Sequence, residues 1–237
     1  MLFRNSLYQA GFFLAVFLCM ASFASAQEKP AKNPDFCGFR YKNTVTIEKQ
    51  FREELDFLQI KDGETIVDIG ASGGAMEGCF SVIGRFNNVN FILVDPDSNC
   101  LNNTRLNNMI AYYASVKGST LQQKFSIVNN TTDSLYLPTD TYRKVWLFNT
   151  LHEIPDKDKM IRSIAQVMQK GGELVILELL SRPKHLLHGG CHQPLLQEDQ
   201  LKILLEKNGF TQTDRILNPN HPRRIVNPLC IVRFVKN

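Results

Sequence analysis

TIVDIGASGGAMEGCF (residues 65–80), followed by NFILVDPD (residues 90–97), decides how the rest of this chain is read. The run from Thr65 to Ile69 is short, apolar and rich in β-branched residues, so it reads as a buried strand interrupted by one acid, Asp68. It gives way to a glycine-rich turn. Gly70, Gly73 and Gly74 allow backbone angles and close approaches that a Cβ forbids, and the helix that follows offers free N–H groups at its start. The second apolar run, Asn90 to Val94, ends in Asp95, a position from which a carboxylate can accept hydrogen bonds from a ribose diol. Either signal alone is weak. Both in register describe the front half of a nucleotide-binding crevice.

Working outward, Thr44 to Leu58 places Val45, Ile47, Phe51, Leu55 and Leu58 at mostly helical spacing, and Lys61-Asp62-Gly63 stops it. The spacing predicts further helices from about Gly74 to Phe86, Ser98 to Ser115, Lys157 to Met168 and Leu196 to Asn208. Strands are expected at Lys124 to Val128, Lys144 to Phe148, Glu173 to Leu180, Thr211 to Leu217 and Leu229 to Val235. Strands that alternate with helices call for a parallel sheet with right-handed crossovers. The last two strands have only a turn between them, so they are expected as an antiparallel hairpin at the sheet edge.

This order of elements resembles the class I S-adenosylmethionine-dependent methyltransferases, over roughly residues 44–236. Four stretches carry the likeness. Val67 to Gly74 resembles the family's glycine-rich first motif, and Val94-Asp95 resembles its acidic second strand end. Leu147 to Pro155, LFNTLHEIP, resembles the fourth-strand segment of the small-molecule subgroup, and Met168 to Leu174, MQKGGEL, resembles the turn before strand five. The resemblance implies an α/β, Rossmann-like, doubly wound seven-stranded sheet, mostly parallel, with an antiparallel C-terminal hairpin. It implies S-adenosyl-L-methionine as cofactor, held by Asp68, Gly70, Ser72, Gly74 and Asp95, with Asn130 or Asp133 offering an acceptor to the adenine amino group. Ser72 departs from the family pattern, which usually has a glycine there. In dinucleotide register the same loop reads Gly70, Ser72, Ala75, and Ser72 obstructs the approach of a pyrophosphate that Asp68 would also repel. A sulfonium cofactor with an ammonium tail suits both residues better.

Methyl transfer needs alignment first, and a base only where the acceptor must lose a proton. His152 and Glu153, just past strand four, are the candidate catalytic pair. His152 is either a base or a pocket-wall imidazole, and Glu153 either faces substrate or caps the next helix. The stretch His185-Leu186-Leu187-His188-Gly189-Gly190-Cys191-His192 has the donor chemistry of a zinc site but no recognised ligand spacing, so a substrate lid is the expectation and no metal is predicted. Phe39 and Tyr41 either close over the cofactor or pack in the core. Glu77 either touches the methionine end of the cofactor or is a solvated first-turn acid.

The amino terminus carries Arg4, an apolar run from Gly11 to about Phe23, and Ala24-Ser25-Ala26, which together read as a secretory signal peptide over residues 1–26. A linker over 27–43 and a domain over 44–237 follow. Cleavage takes the formal charge from +4 to +3, because residues 1–26 hold one base and no acid. That balance, and the lack of basic runs interleaved with aromatics, argues against nucleic acid as a partner. Cys37, Cys79, Cys100, Cys191 and Cys230 would remain, an odd set with room for one or two bridges but no framework. The expectation is an exported enzyme, periplasmic or secreted rather than membrane-anchored, with no stable membrane insertion after cleavage. It would methylate oxygen, sulfur or carbon of a small-molecule substrate. The competing expectation is a non-catalytic nucleoside- or metal-binding protein on the same fold.

Overall fold

The computed structural model describes residues 34–218 and 227–237, so the expected signal peptide and residues 27–33 of the linker lie outside the described residues. The elements run α1 (Thr44–Leu58), β1 (Thr65–Ile69), α2 (Ala75–Ile83), β2 (Asn90–Val94), α3 (Asn103–Lys117), β3 (Lys124–Val128) and β4 (Tyr142–Phe148). A 3-10 turn (Leu151–Glu153) then leads to α4 (Lys157–Val167), β5 (Met168–Leu179), α5 (Glu198–Glu206), β6 (Phe210–Asn218) and β7 (Leu229–Lys236). The seven strands form one sheet in the order β3-β2-β1-β4-β5-β7-β6. All pairs are parallel except the two that β7 makes, which are antiparallel. The expected hairpin is therefore present, with β7 inserted beside β5 and β6 left at the edge.

Both faces of the sheet are covered, which is why its strands are apolar on both sides. Ile66, Phe91, Leu93, Trp146 and Phe148 join Ile47 and Phe51 of α1, Phe80 of α2 and Met109 and Tyr113 of α3 in one core. Val67, Ile69, Val145, Leu147 and Ile176 join Met160, Ile161 and Ile164 of α4 and Leu201 and Leu205 of α5 in the other. Strand β1 pairs with β2 on one side and β4 on the other, so the chain order reverses there. A doubly wound sheet opens its ligand crevice at the carboxyl ends of the strands at such a point. Among the described residues, no helix is long and apolar enough to cross a membrane.

Three boundaries differ from the periodicity by three residues or more. Helix α2 stops at Ile83, not near Phe86, because Gly84 N–H donates back to the Phe80 carbonyl at 2.7 Å and the chain then extends. Helix α3 begins five residues later than Ser98, because Asn102 is its cap and accepts from Arg105 N at 3.0 Å. Asp97 instead caps the preceding turn, accepting from Asn99 N at 2.9 Å. Strand β5 starts at Met168, and the glycine pair lies inside it. Between the pairs Tyr142–Met168 and Lys144–Glu173 residues 169–172 loop out, with Gly171 at φ 73°.

Candidate active site

A cavity of about 660 Å³ opens at the carboxyl ends of β1, β2, β4 and β5, within the range of small-molecule sites. Its floor is the glycine turn. Gly70 N donates to the Val94 carbonyl at 2.7 Å, which ties the turn to the end of β2. A Cβ on Gly70 would stand 2.2 Å from the Thr150 side chain, and one on Gly73 would stand 2.4 Å from the Cys37 carbonyl. These glycines are thus required by two segments pressed onto the turn, the exit of β4 and the strap over residues 34–43.

The strap is fastened to α3 at several points. Asn108 Nδ2 donates to the Asp35 carbonyl at 2.9 Å and Tyr113 Oη to that of Phe39 at 2.8 Å, while Cys37 is disulfide-bonded to Cys100. Phe39 reaches the cavity wall, whereas Tyr41 packs edge-on against Phe51 with centroids 5.4 Å apart. Phe39 also packs on Phe51, with centroids 5.9 Å apart, so it bridges site and core while Tyr41 belongs to the core.

Asp95 binds the two loops of the crevice together. One carboxylate oxygen accepts from Ser72 N at 2.8 Å and the other from Asp97 N at 2.9 Å. Burial raises its pKa, and these two amide bonds oppose the rise. Each oxygen keeps a further lone pair, and the residue lines the cavity. Ser72 holds the left-handed conformation at φ 50°, which explains why glycine is usual at that position.

Asp68 and Glu77 are 2% and 0% exposed and face each other without a cation between them. Burial raises both pKa values, and for Asp68 the Glu77 charge adds to the effect. Two buried acids so placed disfavour a second negative charge between them. Glu77 is therefore neither solvated nor on the wall, while Asp68 reaches the cavity with Oδ1 lacking a hydrogen-bond partner. Asn130 also lines the cavity with an unpartnered Oδ1, its Nδ2 being spent on the Ser134 carbonyl at 3.4 Å. Asp133, the alternative acceptor, pairs with Lys159 at 2.7 Å outside the cavity lining.

Of the other expected cofactor ligands, Gly70 and Ser72 line the cavity, and Gly74 sits one step away as the left-handed cap of α2. Glu153 lines it too. Asp156, accepting from Lys159 N at 2.9 Å, caps α4, so Glu153 is not used for that purpose. His152 is 1% exposed and is not part of the lining. Its Nδ1 stands 2.8 Å from Glu178 Oε1, while Glu178 also accepts from the backbone N–H groups of His152 and Leu179. Glu178 is thus the acceptor for Nδ1, which leaves Nε2 as the ring nitrogen without a hydrogen-bond partner. The His188 ring packs on His152 with centroids 4.4 Å apart and itself lines the cavity. Burial, then the neighbouring His152, lowers the His188 pKa. Glu178 was missed in the sequence. Its signal was an acid inside the apolar run ELVILELL.

Comparisons with known proteins agree with this geometry. A family model described as a methyltransferase domain matches residues 45–214. The ubiquinone/menaquinone biosynthesis C-methyltransferase UbiE of Vibrio vulnificus is 27% identical over 133 residues, 56% of this chain and 47% of that protein. The chain thus spans about half the length of that relative. A SAM-dependent methyltransferase from Methanosarcina mazei superposes with a TM-score of 0.60 at 13% identity, over 77% of this chain and 96% of that one. The [4+2]-cyclase SpnF superposes at 0.54 with 16% identity, over 81% and 80%. At such identities the two structures speak for the fold, which hosts more than one chemistry.

The buried acid pair makes stability depend on pH. The folded chain holds the protons of this pair more tightly than the unfolded chain, so the pair's contribution to stability is full below the ordinary carboxylate range and is lost as pH rises through the raised pKa of Asp68. Thermal melts across pH should show this decline, and Asp68→Asn should flatten it and raise the melting temperature at neutral pH. An unchanged pH profile in that variant contradicts the raised pKa of the pair.

Proposed function

The chain belongs to the methyltransferase-domain family, and from that premise we propose that it transfers a methyl group from S-adenosyl-L-methionine to a small-molecule acceptor. The observation that carries the proposal is the set of unsatisfied acceptors around one crevice. Asp95 retains lone pairs at the tip of β2, Asp68 presents a buried carboxyl beside the glycine turn, and Asn130 presents a free amide oxygen past β3. These suit a ribose diol, an ammonium and an adenine amino group respectively, so the residues present fit the family's cofactor.

When bound, S-adenosylmethionine supplies a methyl carbon already activated by its sulfonium. The chain's own contribution is to hold, align and dry the site. Asp95 accepts the ribose hydroxyls while its amide bonds to Ser72 and Asp97 keep both loops in place. The Asp68 carboxyl, whose pKa burial raises, stands where the ammonium of a bound cofactor would offset the cost of its charge. Ile69, Phe148, Met160, Leu177 and Leu229 supply an apolar wall that excludes water and suits an acceptor with an apolar body. Glu153, on the same wall and half-exposed, is placed to take a proton from an oxygen or sulfur acceptor. The quinone-pathway name of the Vibrio relative supports a small-molecule acceptor of this kind.

We further infer that the domain works outside the cytosol. The apolar amino-terminal run supports this, and so does the Cys37–Cys100 bridge, since disulfides persist in oxidising compartments. An enzyme there depends on delivery of its charged cofactor across a membrane. Protease added to cells with an opened outer envelope should degrade the chain as fast as in lysate, whereas full protection contradicts export.

Calorimetric titration with S-adenosylmethionine and S-adenosylhomocysteine tests the central reading. Micromolar binding of both is expected. Asp95→Ala should weaken it roughly 30-fold or more, the loss of about 2 kcal/mol in hydrogen bonds to a charged acceptor. No heat with either ligand, or unchanged affinity in the variant, contradicts it.

A further inference from the structure

We propose that His152, His188 and Cys191 form a zinc site at the edge of the cavity, with Glu178 as the acid that orients His152. The donor atoms of the three residues all lie within 4.8 Å of one another. Two nitrogens and one sulfur are the donor set of zinc and related thiophilic cations, and ligands on a tetrahedral zinc stand roughly 3.5 Å apart. The cluster therefore closes on an ion with shifts of about an ångström, within reach of a surface loop.

Three observations point to a ligand rather than to local packing. The side chain of His152 is fully buried, yet Nε2 has no hydrogen-bond partner; Glu153 Oε1, 3.7 Å away, is its nearest ion-pairing neighbour. Leaving a buried acceptor unmatched is costly, and a cation satisfies it. The opposite nitrogen is held at 2.8 Å by Glu178, 1% exposed and itself fixed by two backbone N–H groups. That carboxylate–histidine arrangement is how proteins fix the tautomer and direction of a metal-binding imidazole.

The third observation is the loop. Residues 187 and 194 pair as an antiparallel bridge, and His188 N donates to the Gln193 carbonyl at 2.8 Å. This hairpin brings Cys191 Sγ to 3.1 Å from His188 Nδ1. A bond between those two side chains accounts for their own pairing, but leaves the His152 lone pair unanswered. Cys191 is also the partly exposed free thiol among the described residues, since Cys79 and Cys230 are buried and Cys37 and Cys100 are bridged. His185 and His192, which the sequence grouped with them, are exposed and outside the cluster.

Three protein donors are the pattern of zinc sites that keep a position open. His188 lines the cavity, so that position is available to water or to a sulfur or oxygen donor entering there. The metal site stands whether or not the cavity transfers methyl groups.

Titration of the chelator-stripped full chain with cobalt(II), then zinc, tests it. One equivalent of cobalt should give visible bands of a tetrahedral ion and an intense thiolate charge-transfer band in the near ultraviolet, both removed by one equivalent of zinc. Cys191→Ser should abolish the charge-transfer band with the far-ultraviolet dichroism unchanged, and Glu178→Gln should weaken zinc binding 10- to 100-fold. X-ray absorption of the zinc-loaded natural chain gives a readout free of variants, with one sulfur and at least two nitrogens in the shell. Absence of cobalt binding, a band that survives Cys191→Ser, or a shell without sulfur overturns the proposal.

Discussion

The crevice depends on one carboxylate. Asp95 accepts the Ser72 amide on one side and the Asp97 amide on the other, so the turn after β1 and the turn after β2 are held as a single rim. The bonds from Gly70 and Ala71 to the Val94 carbonyl add to that bridge. The strap then presses Cys37 onto Gly73, and its disulfide to Cys100 closes a 63-residue separation around α1, β1, α2 and β2. On the chain-entropy view a loop of that size contributes about 4 kcal/mol by restricting the unfolded chain. Covalent constraint and backbone amides together fix the rim before any ligand arrives, which lowers the ordering cost of binding.

Some strain and unmatched polarity lie at the carboxyl end of the sheet. Ser72 and Asn149 hold left-handed backbone at the exits of β1 and β4, at φ 50° and 52°, and both line the cavity. Asp68, Glu77, Asn130 and His152 all carry buried polar atoms without partners. The cores on the two faces, by contrast, are almost wholly apolar. Where such groups face the cavity, a ligand can supply the missing partners.

The framework was legible because buried strands and glycine turns leave local signatures. Thr65–Ile69, Asn90–Val94 and Lys124–Val128 match the expected strands at both ends. The resemblance to class I methyltransferases then supplied the assembly of these strands into one seven-stranded, mostly parallel sheet, which periodicity could not. Helix starts were less legible, since Asn102 and Asp97 are both good caps and only packing decides between them. Long-range pairs were hidden altogether. Nothing local couples Cys37 to Cys100, Asp68 to Glu77, or His152 to Glu178, because the sheet brings each pair together across turns and crossovers. The histidine-rich loop was recognised for its chemistry, but its partner residue on the β4 exit lay outside the stretch being read.

The account rests on the claim that this rim grips an adenosine by its sugar. A crystal structure of the chain with S-adenosylhomocysteine tests it most directly. The account predicts both ribose hydroxyls within hydrogen-bonding distance of the Asp95 carboxylate, with the amino group of the ligand on the Asp68 side of the glycine turn. A ligand bound elsewhere, or seated in the cavity with its ribose away from Asp95, would contradict it.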